Sequence, residues 1–404
     1  MFTLIAVVSM VFPLAGFCLT ILYFNQYKRP LLSALLYGIV FSAAIYGFSA
    51  DLGDDIYRHM HNAMLYNFVP LYDAFDLLKY EGQNISAVYS WDMWLWIVSK
   101  FDNTYLLQSS GAFVGYTLIS YMVLSQAKQN HLLMKEWLPF YGMAILSFPI
   151  LEITGGIRSA NAFILCTLAC YLYYFKMTNK FVACIFLIVA LFLHHGAIIP
   201  VCAWFLLPLL NRYKKTTIFL IVFLFFGLYK YQESIFFFVG DNSARSGLIS
   251  NSLYSASTYS QSDFNNSVHA IVTMVWRFGL AIILTIIAKR RSLYLKCSGK
   301  DSTHNKILAF SMMILIISLG LIFIIGNNGL RYIGIVNLLC YIILERECNN
   351  HREKDQGYNK LSKLLLLIGN MGCSALYLYD MGWGAGSLKS LVLSTLTGYL
   401  SRSL

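Results

Sequence analysis

The sequence predicts an all-α, polytopic integral membrane helical bundle, and three observations support this fold class. The chain has 404 residues, of which 58% are hydrophobic and 12% charged, whereas a soluble domain carries roughly a quarter charged residues. A membrane-spanning helix needs roughly 20 apolar residues, and the chain supplies about ten to twelve such segments. Twenty of the 30 Lys and Arg residues fall in six short connectors, which is typical of the cytoplasmic side of a membrane protein.

The charge distribution indicates topology and argues against nucleic-acid binding. The net charge is +11, but the basic excess is confined to the six connectors, and acidic residues outnumber basic ones in the opposite loops. The first segment lacks the basic start and the cleavage site of a secretory signal, so we expect it to be a retained first span. Together the segments predict one transmembrane domain over residues 1–404.

The spans alternate with basic connectors and two long polar loops on the outer side. A loop over residues 50–104 follows the second span, and a loop over residues 230–268 precedes a span that contains Arg277. Trp91 to Val98 in the first loop is expected to lie along the membrane interface, where Trp is enriched. The predicted spans are 2–24, 31–49, 105–125, 137–153, 157–175, 216–229, 269–288, 307–325, 364–379 and 388–400.

Residues 181–210 do not fit an ordinary span. Both flanks are basic, so both ends should lie on the cytoplasmic side, and thirty residues are too few for two full spans. His194-His195-Gly196 stands at the centre. The pattern predicts a broken hairpin of two short helices, which is tolerated at membrane depth only when it is buried in protein or lines a wet cavity.

Three arginines on or near the outer side are candidates for binding a pyrophosphate. Arg277 lies within an apolar span, where a charge is costly and needs a partner or a cavity. Arg158 and Arg331 stand at the mouths of spans, close to glycines. Arginine binds phosphate through two parallel hydrogen bonds and stays charged. Glu152 is the expected partner that orients Arg158, and Arg245 in the second outer loop is a further binding candidate.

Histidine and aspartate side chains supply the candidate bases. His194 or His195 could remove a proton near neutral pH. Asp54 and Asp55 follow the second span and could act as a base or accept sugar hydroxyls, and Tyr57 and Arg58 extend this cluster. Alternatively, these acids only favour a helix N-terminus. No metal site and no cofactor are predicted.

Four short motifs resemble the EpsG-like membrane proteins, oligosaccharide repeat-unit polymerases related to the Wzy-type O-antigen polymerases. The motifs begin at Asp54 (DDIY), Gly156 (GIRSA), Leu191 (LFLHHGA) and Gly329 (GLRY, which ends at Tyr332). Their order and their placement relative to the spans carry the resemblance over nearly the whole chain.

The resemblance implies a membrane glycosyltransferase of lipopolysaccharide or polysaccharide biosynthesis in a bacterial inner membrane, with its active site facing the periplasm. Its partners are then the lipid bilayer and undecaprenyl-pyrophosphate-linked glycans, as donor and acceptor. A chain-length regulator membrane protein is a further suggested partner. The family arginines correspond to Arg158 and Arg331, and the family histidine corresponds to His194 or His195.

Three other functions share parts of this pattern. An O-antigen ligase uses the same donor lipid, and a polyprenyl-phosphate-sugar transferase would bind a metal in the Asp51, Asp54 and Asp55 segment. A lipid-linked oligosaccharide flippase would place charges along a path through both leaflets, whereas most candidate charges here lie in the outer half.

Overall fold

A computed structural model describes residues 1–46, 55–74, 89–176, 178–212, 268–297, 302–347 and 367–372. It is all-α, being 90% helical with no strand among these residues. The longer helices are α1 (Phe2–Val11), α2 (Pro13–Tyr27), α3 (Pro30–Tyr46), α4 (Asp55–Leu65), α5 (Leu71–Ala74), α6 (Tyr89–Ser99), α7 (Tyr105–Gln129), α8 (Met134–Leu146), α9 (Ile150–Gly155), α10 (Ile157–Tyr174), α11 (Lys180–Leu193), α12 (Ile198–Arg212), α13 (Val268–Cys297), α14 (Ser302–Ile325) and α15 (Ile333–Glu347). Short 3₁₀ segments cover Tyr66–Phe68, His195–Ala197 and Gly326–Tyr332.

Prolines divide two of the predicted spans. The span predicted over 2–24 breaks at Phe12, where the backbone leaves the helical region (φ −133°, ψ 81°) before Pro13 begins α2. The span predicted over 137–153 ends at Leu146 and resumes at Ile150, after Pro149. Proline removes a backbone donor and disfavours helical geometry at the residue before it. Each of these two predicted spans therefore consists of two helices in the structure.

Two helices, α10 and α15, form the centre of the bundle. Every residue from Ile333 to Leu344 is buried, and nearly every residue from Ile157 to Tyr171 is buried as well. The α15 helix packs against α7, α8, α10, α13 and α14. Helix α10 packs closely on α7, because Gly111 and Gly115 leave room for Ile157 and Asn161. Small residues allow such close approach of helix backbones.

The broken hairpin is confirmed in the helices that flank His194. Helix α11 begins after Asn179, whose side-chain oxygen accepts the backbone N–H of Phe181. It ends at Leu193, and His194 adopts an extended conformation (φ −155°, ψ 127°). Trp204 of α12 then returns to the start of α11, because its ring lies 5.8 Å from Lys180 Nζ and 5.5 Å from the ring of Tyr173.

Three basic connectors lie together at one end of the bundle. Lys28 Nζ donates to the carbonyl of Leu132 (3.3 Å), and Lys176 Nζ donates to Gln129 Oε1 (3.0 Å). These contacts join the segments after α2, α7 and α10. Because α10 runs from Ile157 to this end, its first turn and the His194 break lie at the opposite end.

Among the described residues, one segment, Ile271–Lys289 within α13, is long and apolar enough to cross a membrane by itself. Shorter apolar segments of 10–17 residues are Phe2–Val11, Pro30–Tyr46, Lys180–Leu193, His195–Pro208 and Asn305–Leu321. The predicted number of spans therefore stays a prediction. The predicted segments at 216–229 and 388–400, most of 364–379 and nearly all of the second outer loop lie outside the described residues.

Candidate functional site

Four separate segments meet in one pocket at the end of the bundle opposite these basic connectors. The pocket encloses a cavity volume of about 20 Å³, whereas whole small-molecule sites have about 300–1,000 Å³. It is lined by His59 of α4, by Gly155, Gly156, Ile157, Arg158 and Ser159 at the α9–α10 corner, by His194, and by Arg331. The described lining thus holds two arginines and two histidines and no acidic side chain.

The N-terminus of α10 forms one wall of the pocket. The Gly155-Gly156 corner separates α9 from α10, and Ser159 Oγ donates to the Gly156 carbonyl at 3.0 Å. The first backbone N–H groups of a helix have no partner within the helix, and the aligned peptide dipoles make this end partly positive. The α10 N-terminus therefore adds backbone donors to the charge of Arg158 on the same turn, and such an end favours phosphate.

Trp91 of α6 supports two of the pocket side chains. The Arg158 guanidinium lies 5.6 Å from the centroid of the buried Trp91 ring. The ring of His59 meets Trp91 edge to face, with centroids 4.9 Å apart. Arginine over an aromatic face and edge-to-face aromatic pairs are both favourable. The first outer loop therefore covers the α10 N-terminus and holds Arg158 and His59 in place through one aromatic ring.

His194 is held at the break between α11 and α12. Its Nδ1 accepts the backbone N–H of Gly196 at 3.0 Å. In a neutral imidazole the nitrogen that accepts carries no proton, so Nε2 is the donor. The Tyr332 hydroxyl donates to the Gly196 carbonyl at 3.1 Å. Phe163 of α10 packs against the His194 ring (6.0 Å) and the Tyr332 ring (4.6 Å). The HHG and GLRY motifs are thus joined at Gly196.

Arg277 belongs to a different arrangement. Its Nη2 donates to Glu152 Oε2 at 2.8 Å, and both side chains are buried. Glu152 was expected to orient Arg158, and this is corrected because the structure gives its carboxylate an ion pair with Arg277. Arg277 does not line the pocket described above. The pair instead joins α13 to α9, immediately before the Gly155-Gly156 corner.

The remaining predicted residues lie around the pocket or beyond the described structure. His195 is half-buried and is not part of the described pocket lining, whereas Tyr57 and Arg58 lie on the exposed face of α4. Asp55 begins α4, but its side chain is not described. Asp54 and Arg245 lie outside the described residues.

His59 is the pocket residue that the sequence interpretation missed. It lies on the buried face of α4, which otherwise presents Ile56, Met60, Ala63 and Asn62 to the protein. The helical spacing of Ile56, Met60 and Ala63 marks an apolar stripe. A histidine within this apolar stripe is the sequence feature that could have identified His59 as a candidate site residue. The interpretation of this segment stopped at Arg58.

Burial and neighbouring positive charges favour the neutral form of His59. Burial lowers the pKa of His59 well below its ordinary value, and the positive charges of Arg158 and Arg58 and the nearby His194 lower it further. Both effects penalise the charged form of an imidazole. His59 is therefore an uncharged proton acceptor in a positively charged surrounding.

Comparisons with protein-family models, curated proteins and solved structures found no match for this chain.

Proposed function

We propose that this protein is a polytopic membrane glycosyltransferase that polymerises lipid-linked oligosaccharide repeat units at the periplasmic face of a bacterial inner membrane. The observation that carries the proposal is the pocket at the α10 N-terminus. Arg158, Arg331, His194 and the first amides of α10 all supply hydrogen-bond donors or positive charge there. A diphosphate is the ligand chemistry that such a set of donors fits.

Apolar surface on the outside of the bundle supports the membrane part of the proposal. Helix α11 exposes a stripe of Phe181, Ile185, Ile188 and Phe192, each between 44% and 69% exposed. Helix α13 exposes a comparable stripe of Ile271, Val275, Ile282 and Ile286. Soluble proteins rarely leave continuous apolar surface of this extent in water. A bilayer would cover both stripes.

In the proposed reaction the growing glycan moves from its lipid diphosphate to a sugar hydroxyl of the next lipid-linked unit. The hydroxyl oxygen attacks the anomeric carbon, and the carbon–oxygen bond to the diphosphate breaks. The electron pair of that bond stays on the diphosphate, whose growing negative charge Arg158, Arg331 and the α10 amides stabilise. Preorganised donors of this kind contribute several kcal/mol to a transition state.

The histidine at the hairpin break takes part as a donor in this scheme. Since Nδ1 of His194 accepts from Gly196, the Nε2 proton is directed to a phosphate oxygen rather than removing the hydroxyl proton. Both His194 and His195 were candidate bases. The hydrogen bond favours a binding role for His194 and leaves the proton to another residue.

The test uses a deletion strain that carries single variants of the full chain. We expect Arg158→Ala and Arg331→Ala to remove long surface polymer while the protein stays folded and abundant in the membrane. Arg158→Lys keeps the charge but not the paired hydrogen bonds, so it should restore only part of the polymer. Lys135→Ala is the matched control, because Lys135 is exposed and lies in the first turn of α8 at the other end of the bundle.

The glycan profile also separates the related functions. Surface core that carries a single repeat unit indicates loss of a polymerase, whereas core without any repeat unit indicates loss of a ligase. Loss of lipid-linked units from the outer leaflet indicates a flippase. A full polymer ladder from Arg158→Ala contradicts the proposal.

A further inference from the structure

His59 is the one pocket imidazole with a buried ring nitrogen that has no hydrogen bond in the described structure. Its side chain is 4% exposed, and Nδ1 has no hydrogen-bond partner among the described residues. Burial of a polar atom without a hydrogen-bond partner is unfavourable. Several other buried polar atoms among the described residues also lack a partner, and what distinguishes His59 is that it lines the pocket. A ligand group that enters the pocket would supply the missing partner.

The other two histidines near the pocket do not offer the same capacity. His194 uses Nδ1 to accept the Gly196 N–H, so its remaining nitrogen carries the proton. His195 is not part of the described pocket lining. His59 lines the pocket together with Arg158 and His194, and Trp91 packs edge to face against its ring.

We propose that His59 is the proton acceptor of the glycosyl transfer, and that binding of the donor diphosphate activates it. This inference rests on the proposed function. As the acceptor hydroxyl oxygen bonds to the anomeric carbon, its proton moves to His59. The diphosphate leaves with the electron pair of the broken bond. The imidazolium then returns the proton to solvent after the products depart.

Activation follows from the charges that surround His59. Burial and the charges of Arg158 and Arg58 hold its pKa well below the ordinary value. The carboxylates on the helices that pack against α4 are engaged elsewhere, since Asp92 accepts from Tyr66 (3.1 Å) and Glu152 pairs with Arg277. A bound diphosphate adds negative charge that offsets the arginines. An opposite charge nearby favours the protonated imidazole, so the base becomes stronger when the donor is present.

The experiment compares two histidines on the same helix. His59→Gln removes the proton acceptor, whereas His61→Gln changes an exposed residue two positions away. In vesicles supplied with lipid-linked repeat units, we expect His59→Gln to lower kcat by about 10²–10⁴-fold, the usual contribution of a general base. Binding of undecaprenyl pyrophosphate to the purified variant should match that of the wild type. His61→Gln should behave as the wild type in both assays.

The pH dependence of the wild type supplies a second test that needs no variant. The acid limb of kcat/KM reports the free enzyme, and the acid limb of kcat reports the loaded enzyme. We expect the kcat limb at a higher pH than the kcat/KM limb, because the diphosphate raises the His59 pKa. Coincident limbs contradict the activation step.

Two results with His59→Gln overturn this inference. Turnover of His59→Gln at the rate of His61→Gln removes His59 from the chemistry, and loss of undecaprenyl pyrophosphate binding makes His59 a binding residue instead. If His59→Gln does not fold, the same two assays are carried out on His59→Asn. The acid limbs of kcat and kcat/KM of the wild type then test the activation step without any variant. Inactive Arg158→Ala beside fully active His59→Gln rejects only this inference, whereas full activity of both variants rejects the proposed function as well.

Discussion

The buried Arg277 and the two pocket arginines, Arg158 and Arg331, differ in what surrounds them. Arg277 has a carboxylate at 2.8 Å, and the pair with Glu152 is neutral. Arg158 and Arg331 share a pocket with two histidines, and the lining in the described residues includes no acid. Glu152 lies on α9, directly before the corner that opens into this pocket.

The comparison teaches that an arginine in an apolar segment is not by itself a ligand site. A buried charge needs compensation, and a neighbouring carboxylate supplies it within the protein. Where the described lining brings two arginines, two imidazoles and a helix N-terminus together, an external anion fits the site. The two groups should therefore respond differently to substitution: one through folding, the other through activity.

The largest expected effect is on folding, from breaking the Arg277–Glu152 pair. Arg277→Ala leaves a buried carboxylate without its partner, which typically costs about 3–5 kcal/mol. We expect a strongly lowered thermal midpoint and low abundance in the membrane. The double variant Arg277→Met/Glu152→Met removes both charges, so it should recover most of the stability. Thermal unfolding in detergent measures both.

Activity of the double variant sharpens the contrast. If Arg277 serves only to join α13 to α9, the recovered double variant should still make polymer. A stable double variant that makes no polymer would return Arg277 to the list of binding residues. Arg158→Ala should show the opposite behaviour, with stability retained and polymer lost.

The second prediction concerns Gly196, where the HHG motif contacts the GLRY motif. In Gly196→Ala the added Cβ lies 2.8 Å from the His194 ring and 3.1 Å from the Tyr332 hydroxyl. One of these side chains must move. A misplacement of about 1 Å in an active site can cost about 10²-fold in rate, and we expect a loss of that order. Gly279→Ala is the matched control, because its Cβ meets nothing within 4 Å.

Wild-type turnover by Gly196→Ala would show that His194 need not be held in this position. Tyr332→Phe provides an intermediate case, since it removes only the hydrogen bond to the Gly196 carbonyl. A single neutral hydrogen bond contributes about 0.5–1.5 kcal/mol. The loss of activity should accordingly be smaller than that of Gly196→Ala.

Much of the bundle could be predicted because the signals are local. The break at His194 follows from basic flanks that are thirty residues apart, and the α10 start follows from Gly155-Gly156. Arg158 and Arg331 were recognised because each stands beside glycine at the mouth of an apolar segment. The helix breaks at Phe12 and Pro149 were missed, although proline is also a local signal. At both positions the length of the apolar segment was given more weight than the backbone N–H that proline lacks.

The pairings could not be predicted because they depend on packing between distant segments. Glu152 precedes Arg158 by six residues, yet its carboxylate pairs with Arg277, 125 residues further along the chain. The place of Trp91 beneath Arg158 likewise requires the first outer loop to fold over α10. His59 is an intermediate case. Its position in an apolar stripe was visible, but its approach to His194 was not.

The smallest expected effect is on the pH dependence of stability, and it separates His59 from the arginine pair. The folded protein holds the His59 pKa well below its ordinary value, so below about pH 6.5 the unfolded chain binds a proton that the folded chain does not. Stability contributed by this site is therefore lost as the pH falls from 7.5 through 6.5. The slope approaches about one proton until the folded pKa is reached.

His59→Gln should remove this component and flatten the wild-type slope of the thermal midpoint between pH 7.5 and 5.5, whereas His61→Gln should not. Equal slopes for His59→Gln and the wild type would mean that His59 titrates normally in the fold, and the case for a neutral base facing two arginines would fail. Undecaprenyl pyrophosphate should flatten the wild-type slope as well, because an anion in the pocket restores the protonated imidazole in the folded state.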